Sequence, residues 1–166
     1  MQETQRKNLR LQRKTLPMDK NQQPGIGIDS IHLIECHAKI LNLEAKLEYN
    51  IGLTDLSRKE EADTLIVLAS FDLMHEVTNP PCMLKCTLMA AYNRTKDSSM
   101  TWAQFSDVMA VTHMIPYVRE LASSVTLRMP LKPLVIPPTN VHLLVARHNE
   151  RASPKPQIEP QQKKAE

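Results

Sequence analysis

Two pairs of residues have the types that could do chemistry: His113 with Glu120, and Cys82 with Cys86. An imidazole and a carboxylate within reach of one another could share general acid–base work, and two thiols could bind a metal or form a disulfide. Neither spacing serves. His113 and Glu120 flank Pro116 and read as ordinary helix-surface residues. Cys82 and Cys86 fall on one predicted strand, two pleats apart on the same face, so roughly 13 Å separates their Cα atoms. That is too far for a disulfide and poor for shared ligation. His32 and His37 differ by an odd number and are expected on opposite sides of a strand. Glycine occurs at positions 25, 27 and 52 only, too sparsely for a phosphate-cradling loop or a nucleophile elbow. HExxH and paired CxxC motifs are absent from the sequence. We expect no enzyme, no metal and no cofactor.

The elements that would hold these residues are easier to read. At 166 residues the chain has room for a single core, and with aromatics at 4% that core must be aliphatic. Nine methionines suit gap-filling or adaptable surfaces. Of 21 Lys/Arg and 18 Asp/Glu, six and two fall in residues 1–23 and five and three in 147–166. Ten basic and thirteen acidic groups therefore remain for residues 24–146. Basic charge belongs to the tails, which argues against a nucleic-acid-binding body. The longest aliphatic run, Leu65 to Ala69, is far short of a membrane span. The N-terminus lacks the apolar core of a secretory signal, so a cytoplasmic protein is expected. We expect disordered tails at 1–23 and 151–166 around a domain at 24–150, with Met18 an alternative start.

Within that domain, short alternations at Ile31 and Leu33 and then at Ile34, Cys36, Ala38 and Ile40 suggest a first strand whose buried face switches at a bulge. Leu43 to Leu53 alternates with period two and predicts a second strand. Thr54 to Asp63 is charged and predicts a surface turn. Thr64 to Val77, apolar on both faces, predicts a central strand. Cys82 to Tyr92 alternates again. Four strands joined by short links predict an antiparallel meander. Thr101 with Gln104 has the form of a capping box. Helical spacing then continues through Phe105, Val108, Met109 and Thr112, and beyond Pro116 through Val118, Leu121, Ala122 and Val125. Proline predicts either a kink near Ile115 or a fresh start at Pro116. Prolines 130, 133, 137 and 138 force an extended strap, and Asn140 can cap a short last helix. The layout is α+β. The strap, carrying Leu131, Leu134, Val135 and Ile136, must either cover the helix as a lid or present an apolar wall to an extended peptide.

The run IPYVREL followed by LKPLVIPPTNVHLLV resembles the C-terminal signature of SecB, the bacterial protein-export chaperone. In that family a PYxRE helix start precedes a P-x-L-x-x-x-P-x-N-F strap and a last helix. Pro116, Tyr117, Arg119 and Glu120 match the first part; Pro133, Val135, Pro138 and Asn140 match the second, with Val141 replacing the usual aromatic. The resemblance spans Ile26 to Val145. It implies an ATP-independent holdase for unfolded preproteins, assembled as a dimer of dimers, that passes clients to SecA. It further implies peptide contacts at Tyr92, Leu134, Ile136 and Val141, and packing between subunits through Val118, Leu121, Ala122 and Val125. Partner docking is implied on the outer sheet face around Glu35 and Lys85. Lys85 stands where an acidic group is expected for SecA, and His37 and Lys39 follow Glu35. Met83, Met89, Met109 and Met129 could stand in for groove aromatics. An alternative role within the same family is a chaperone dedicated to one partner, such as the antitoxin of a toxin–antitoxin pair.

Overall fold

Strand β1, Ile26–Ile40, must reconcile apolar positions that change parity along its length. A computed structural model, which describes residues 25–152, shows how. A register shift at Ile34 lets Leu33 face Leu88 and Cys36 face Cys86, so both stay on the face that carries the core. The expected bulge is present, and a second shift at Asp29 does the same for Ile28 and Ile31. The Ile34 bulge also overturns the expectation for the histidines. His32 pairs with Met89 and His37 with Lys85, four residues apart on the partner strand, so the two share the outer face. The tails expected at 1–23 and 151–166 lie, apart from residues 151 and 152, outside the described residues.

The other elements are β2 (Gly52–Glu61), β3 (Thr64–Asp72), β4 (Cys82–Arg94), α1 (Asp107–Leu127) and α2 (Val141–Ala152). Four antiparallel strands and two helices make the expected α+β layout, but the sheet order is β1-β4-β3-β2. Only β2, β3 and β4 form a meander; β1 reaches the far edge through residues 41–51. The alternating segment Leu43–Ile51 is this link rather than a strand. Asn42 breaks it at the start, its side-chain oxygen accepting from Glu44 N–H at 3.0 Å. The charged stretch expected as a turn is β2 itself. As an edge strand, β2 tolerates charge on its wet face, where Lys59 and Glu61 pair. The reversal is confined to Ala62 and Asp63, with Ala62 at φ 39°.

Leu65, Val67, Ala69 and Phe71 of β3 and Leu84, Leu88 and Tyr92 of β4 bury one sheet face beneath α1. The Thr101–Gln104 contact forms, with Thr101 N–H donating to Oε1 at 2.8 Å, but in the turn before the helix. Ser106 is the N-cap and accepts from Met109 N–H. Pro116 lies inside one continuous 21-residue helix, so the fresh start does not occur. Pro116 is exposed, so the helix carbonyl that loses its N–H partner there is on a side open to solvent. At the other end Asn140 caps α2 as expected, accepting from Leu143 N–H at 3.1 Å. Gly52 is required beside it: a Cβ there would lie 2.3 Å from the His75 ring, whose Nε2 meets Arg151 of α2.

Arg58 of β2 fixes the entry to α1. Its guanidinium donates to the carbonyls of Phe105 at 2.8 Å and Trp102 at 2.9 Å and to the Asp107 carboxylate at 3.0 Å. Removing it strands two part-buried carbonyls, so Arg58→Ala should lower unfolding stability by roughly 1–3 kcal/mol. Urea denaturation checks this, and an unchanged midpoint would show that water satisfies the turn equally well.

Candidate functional site

Prolines 130, 133, 137 and 138 have no N–H, so the strap cannot be held by a regular ladder. Side chains of α1 hold it instead. Thr126 Oγ1 donates to Ala122 O and accepts from Leu134 N–H, both at 2.7 Å. Ser123 Oγ donates to Leu134 O at 2.8 Å, and Arg119 Nε donates to Ile136 O at 2.8 Å. Residues 119, 123 and 126 follow helical i, i+4, i+7 spacing and so line one stripe of α1.

This attachment decides which side chains face outward. Leu134 and Ile136 are each 2% exposed, while Val135 between them is 71% exposed. The strap is therefore a lid and a wall at once, by alternate residues. Ile136 lines both hollows beside the strap, yet it and Leu134, where peptide contacts were implied, are almost fully buried core residues. So is Tyr92, fully buried, with its ring 4.8 Å from that of Phe105 and its hydroxyl donating to Ala110 O at 3.3 Å. Burial pushes its phenol up to about 12, so it stays neutral. Val141 is only half-buried. Among the helix residues expected between subunits, Val118 and Ala122 are fully buried on the inner face of α1 within the same chain, and Leu121 and Val125 are half-buried. The exposed large apolar residues of α1 are Met109, Tyr117 and Leu127.

The strap's far end makes a cleft of about 230 Å³ with the 49–51 link and α2. Its walls include Tyr49, Ile51, Pro138, Leu143 and Arg147. Tyr49 and Leu143 are exposed apolar groups that the sequence reading passed over. Leu143 was recognisable in principle, three residues after the capping Asn140. A neighbouring hollow of about 310 Å³ is bounded by Pro116, Arg119, Glu120 and Val135. His113 lines a different hollow, about 470 Å³, with Met100, Met109 and His142. The structure thus separates His113 from Glu120. Among the described residues, no group of three or more His, Cys, Asp or Glu could hold a metal ion.

Glu35 and Lys85 are both exposed on the outer face of the sheet. Glu35 pairs with His37 at 2.6 Å, and Lys85 lies 3.4 Å from Asp72. The register sets His37 opposite Lys85 and Asp72 next to it, giving a patch of mixed sign.

No family model matches the chain, and no curated protein matches it in sequence. Among solved structures the chain is similar to the Mycobacterium tuberculosis Rv1957 SecB-like chaperone, in complex with a ChAD peptide from the Rv1956 HigA1 antitoxin. The TM-score is 0.57 at 16% identity, over 69% of this chain and 90% of that one. A protein of unknown function from Streptococcus agalactiae is a weaker match, with TM-score 0.40 and 13% identity over 68% and 96% of the two chains. The fold is SecB-like.

Two measurements probe the site. Thr126→Val keeps the shape but leaves Leu134 N–H without its acceptor, and should cost about 1–3 kcal/mol. It should also speed hydrogen exchange at the Leu134 amide, whereas Thr126→Ser should do neither; a slow amide in the valine variant would mean that the strap is held by packing alone. His113 supplies a pH test. Its Nδ1 is buried without a partner among the described residues, and burial pushes its pKa below the usual 6.5. Between the two values the unfolded chain binds a proton that the folded chain does not. Stability from this group is therefore intact above about pH 6.5 and declines as pH falls through that value toward the folded one. His113→Gln should flatten the drop in urea midpoint between about pH 7.5 and 5.5, and an identical drop in both proteins would count against the assignment.

Proposed function

We propose that this protein is an ATP-independent holdase, not an enzyme, that captures extended apolar segments of unfolded polypeptide in the cytoplasm. The observation that carries the reading is the strap. Helix side chains partner its Leu134 N–H, Leu134 O and Ile136 O in place of a neighbouring strand, and it exposes Val135 beside a cleft walled by Tyr49 and Leu143. An extended peptide can lay alternate side chains into such hollows. Burial of those side chains at roughly 25 cal/mol per Å² supplies affinity without nucleotide, and several clefts in one assembly would multiply it by avidity. Self-association as a dimer of dimers is part of the proposal. The outward stripe of Met109, Tyr117 and Leu127 replaces the buried Val118 and Ala122 as its surface. Among the described residues, no helix is long and apolar enough to cross a membrane.

A second reading is a chaperone dedicated to one partner, such as an antitoxin. The outer face favours it, because Lys85 and His37 interrupt the acidic surface that SecA docking would use, and misplaced charge costs affinity and association rate. The similar Rv1957 structure holds a peptide from an antitoxin, which supports a peptide-binding role for this fold without choosing the client.

Purified protein at stoichiometric ratio should suppress light scattering from a chemically unfolded client; no suppression would end both readings. Tyr49→Ala and Leu143→Ala should each weaken client binding roughly tenfold, about 1.4 kcal/mol, with circular dichroism and solution mass unchanged. Capture of SecA and many preproteins would favour export, and one small dominant partner would favour the dedicated role.

A further inference from the structure

Cys82 and Cys86 lie four residues apart on β4, and Cys36 lies on the neighbouring strand. Cys36 and Cys86 are direct partners across β1 and β4, on the core face of the sheet. The kind of pairing follows from the hydrogen bonds. Leu41 N–H donates to Pro81 O at 2.9 Å, one step beyond the Ile40–Cys82 pair in the same register. Hydrogen-bonded pairs alternate along an antiparallel ladder, so His37–Lys85 and Lys39–Met83 are of that kind. Cys36–Cys86, Ala38–Leu84 and Ile40–Cys82 are then the close, non-hydrogen-bonded kind, with Cα atoms about 4.5 Å apart. That separation lies at the short end of the range a disulfide spans, about 4.4–6.8 Å. Side chains at such sites also approach one another most closely.

We propose that Cys36 and Cys86 are a dithiol pair that a small-molecule disulfide oxidises to a cross-strand disulfide, pinning β1 to β4 just beyond the Ile34 bulge. Cys36 is exposed and Cys86 is buried, which orders the steps. The Cys36 sulfur, its proton given up to solvent, attacks the oxidant's S–S bond and forms a mixed disulfide. The departing thiolate takes up a proton. The Cys86 sulfur, likewise deprotonated, then attacks the Cys36 sulfur; the intramolecular S–S bond forms and a second small thiol leaves. Two protein thiols and one small disulfide become one protein disulfide and two small thiols. Burial pushes the Cys86 thiol up to about 12, with the neighbouring Cys36 adding to it, and burial raises Cys36 as well. The exchange is therefore slow at neutral pH and accelerates as pH rises.

The position gives the bond a mechanical consequence. β1 is an edge strand whose register depends on two bulges, and a slip of one residue would exchange its core and solvent faces. A link at Cys36 removes that freedom. The proposal does not depend on what the cleft binds.

The test is to treat the folded full-length chain with oxidised glutathione, block remaining thiols with N-ethylmaleimide, and map peptides without reduction. The expected result is loss of two of the three thiols, with a Cys36–Cys86 link inside one chain, in the parent protein and in Cys82→Ser. Cys36→Ser, at an exposed position, should show no intrachain link. Three alkylated thiols, a glutathione adduct persisting on Cys36, a link between two copies, or a Cys82–Cys86 link would each overturn the proposal.

Discussion

The hydroxyl of Thr126 is the contact on which the arrangement of the C-terminal half depends. It is fully buried, donates back to its own helix and accepts the Leu134 N–H of the strap. With Ser123 and Arg119 it converts a helix face into a substitute for a neighbouring strand. A proline-rich segment lacks donors and cannot easily join a sheet, yet its remaining carbonyls still need partners when covered. Supplying those partners from side chains sets the strap's rotation about its own axis. From that rotation follow the burial of Leu134 and Ile136, the exposure of Val135, and the line along which Pro137 and Pro138 approach Asn140 and start α2.

The sheet solves the complementary problem with backbone rather than side chains. β1 is 15 residues long and carries apolar groups in two parities. Each bulge absorbs one residue and restores the face. β1 nevertheless lies at the edge, beyond full cover by α1, and Ile28, Leu33 and Ile40 remain 37–48% exposed. At the opposite edge β2 is charged, and Arg58 turns inward to hold the entry to α1. One edge is thus apolar and long, the other polar and clamped.

Much of this was legible in the residues. The alternation of Cys82–Tyr92 identified β4, the parity change identified a bulge in β1, and Asn140 identified the start of α2. What misled was local pattern without tertiary context. The link at Leu43–Ile51 alternates as a strand does, and an Asx turn at Asn42 decides otherwise. The charged β2 shows no apolar pattern because an edge strand needs little. The burial of Tyr92, Leu134 and Ile136 was hidden for a related reason. Sequence places Leu134 and Ile136 on one side of the strap, but only the donors on α1 determine whether that side faces in or out. The cross-strand cysteines were missed because the pairing of β1 with β4, rather than with β2, cannot be read from spacing.

Because the strap is held through its backbone, its own side chains are only loosely constrained by the attachment. Diverged relatives can therefore rewrite the strap's outward residues freely while α1 keeps a long donor at the position of Arg119, a hydroxyl at Ser123 and a hydroxyl at Thr126. Ancestry would then be recorded in the helix, and specificity in the strap.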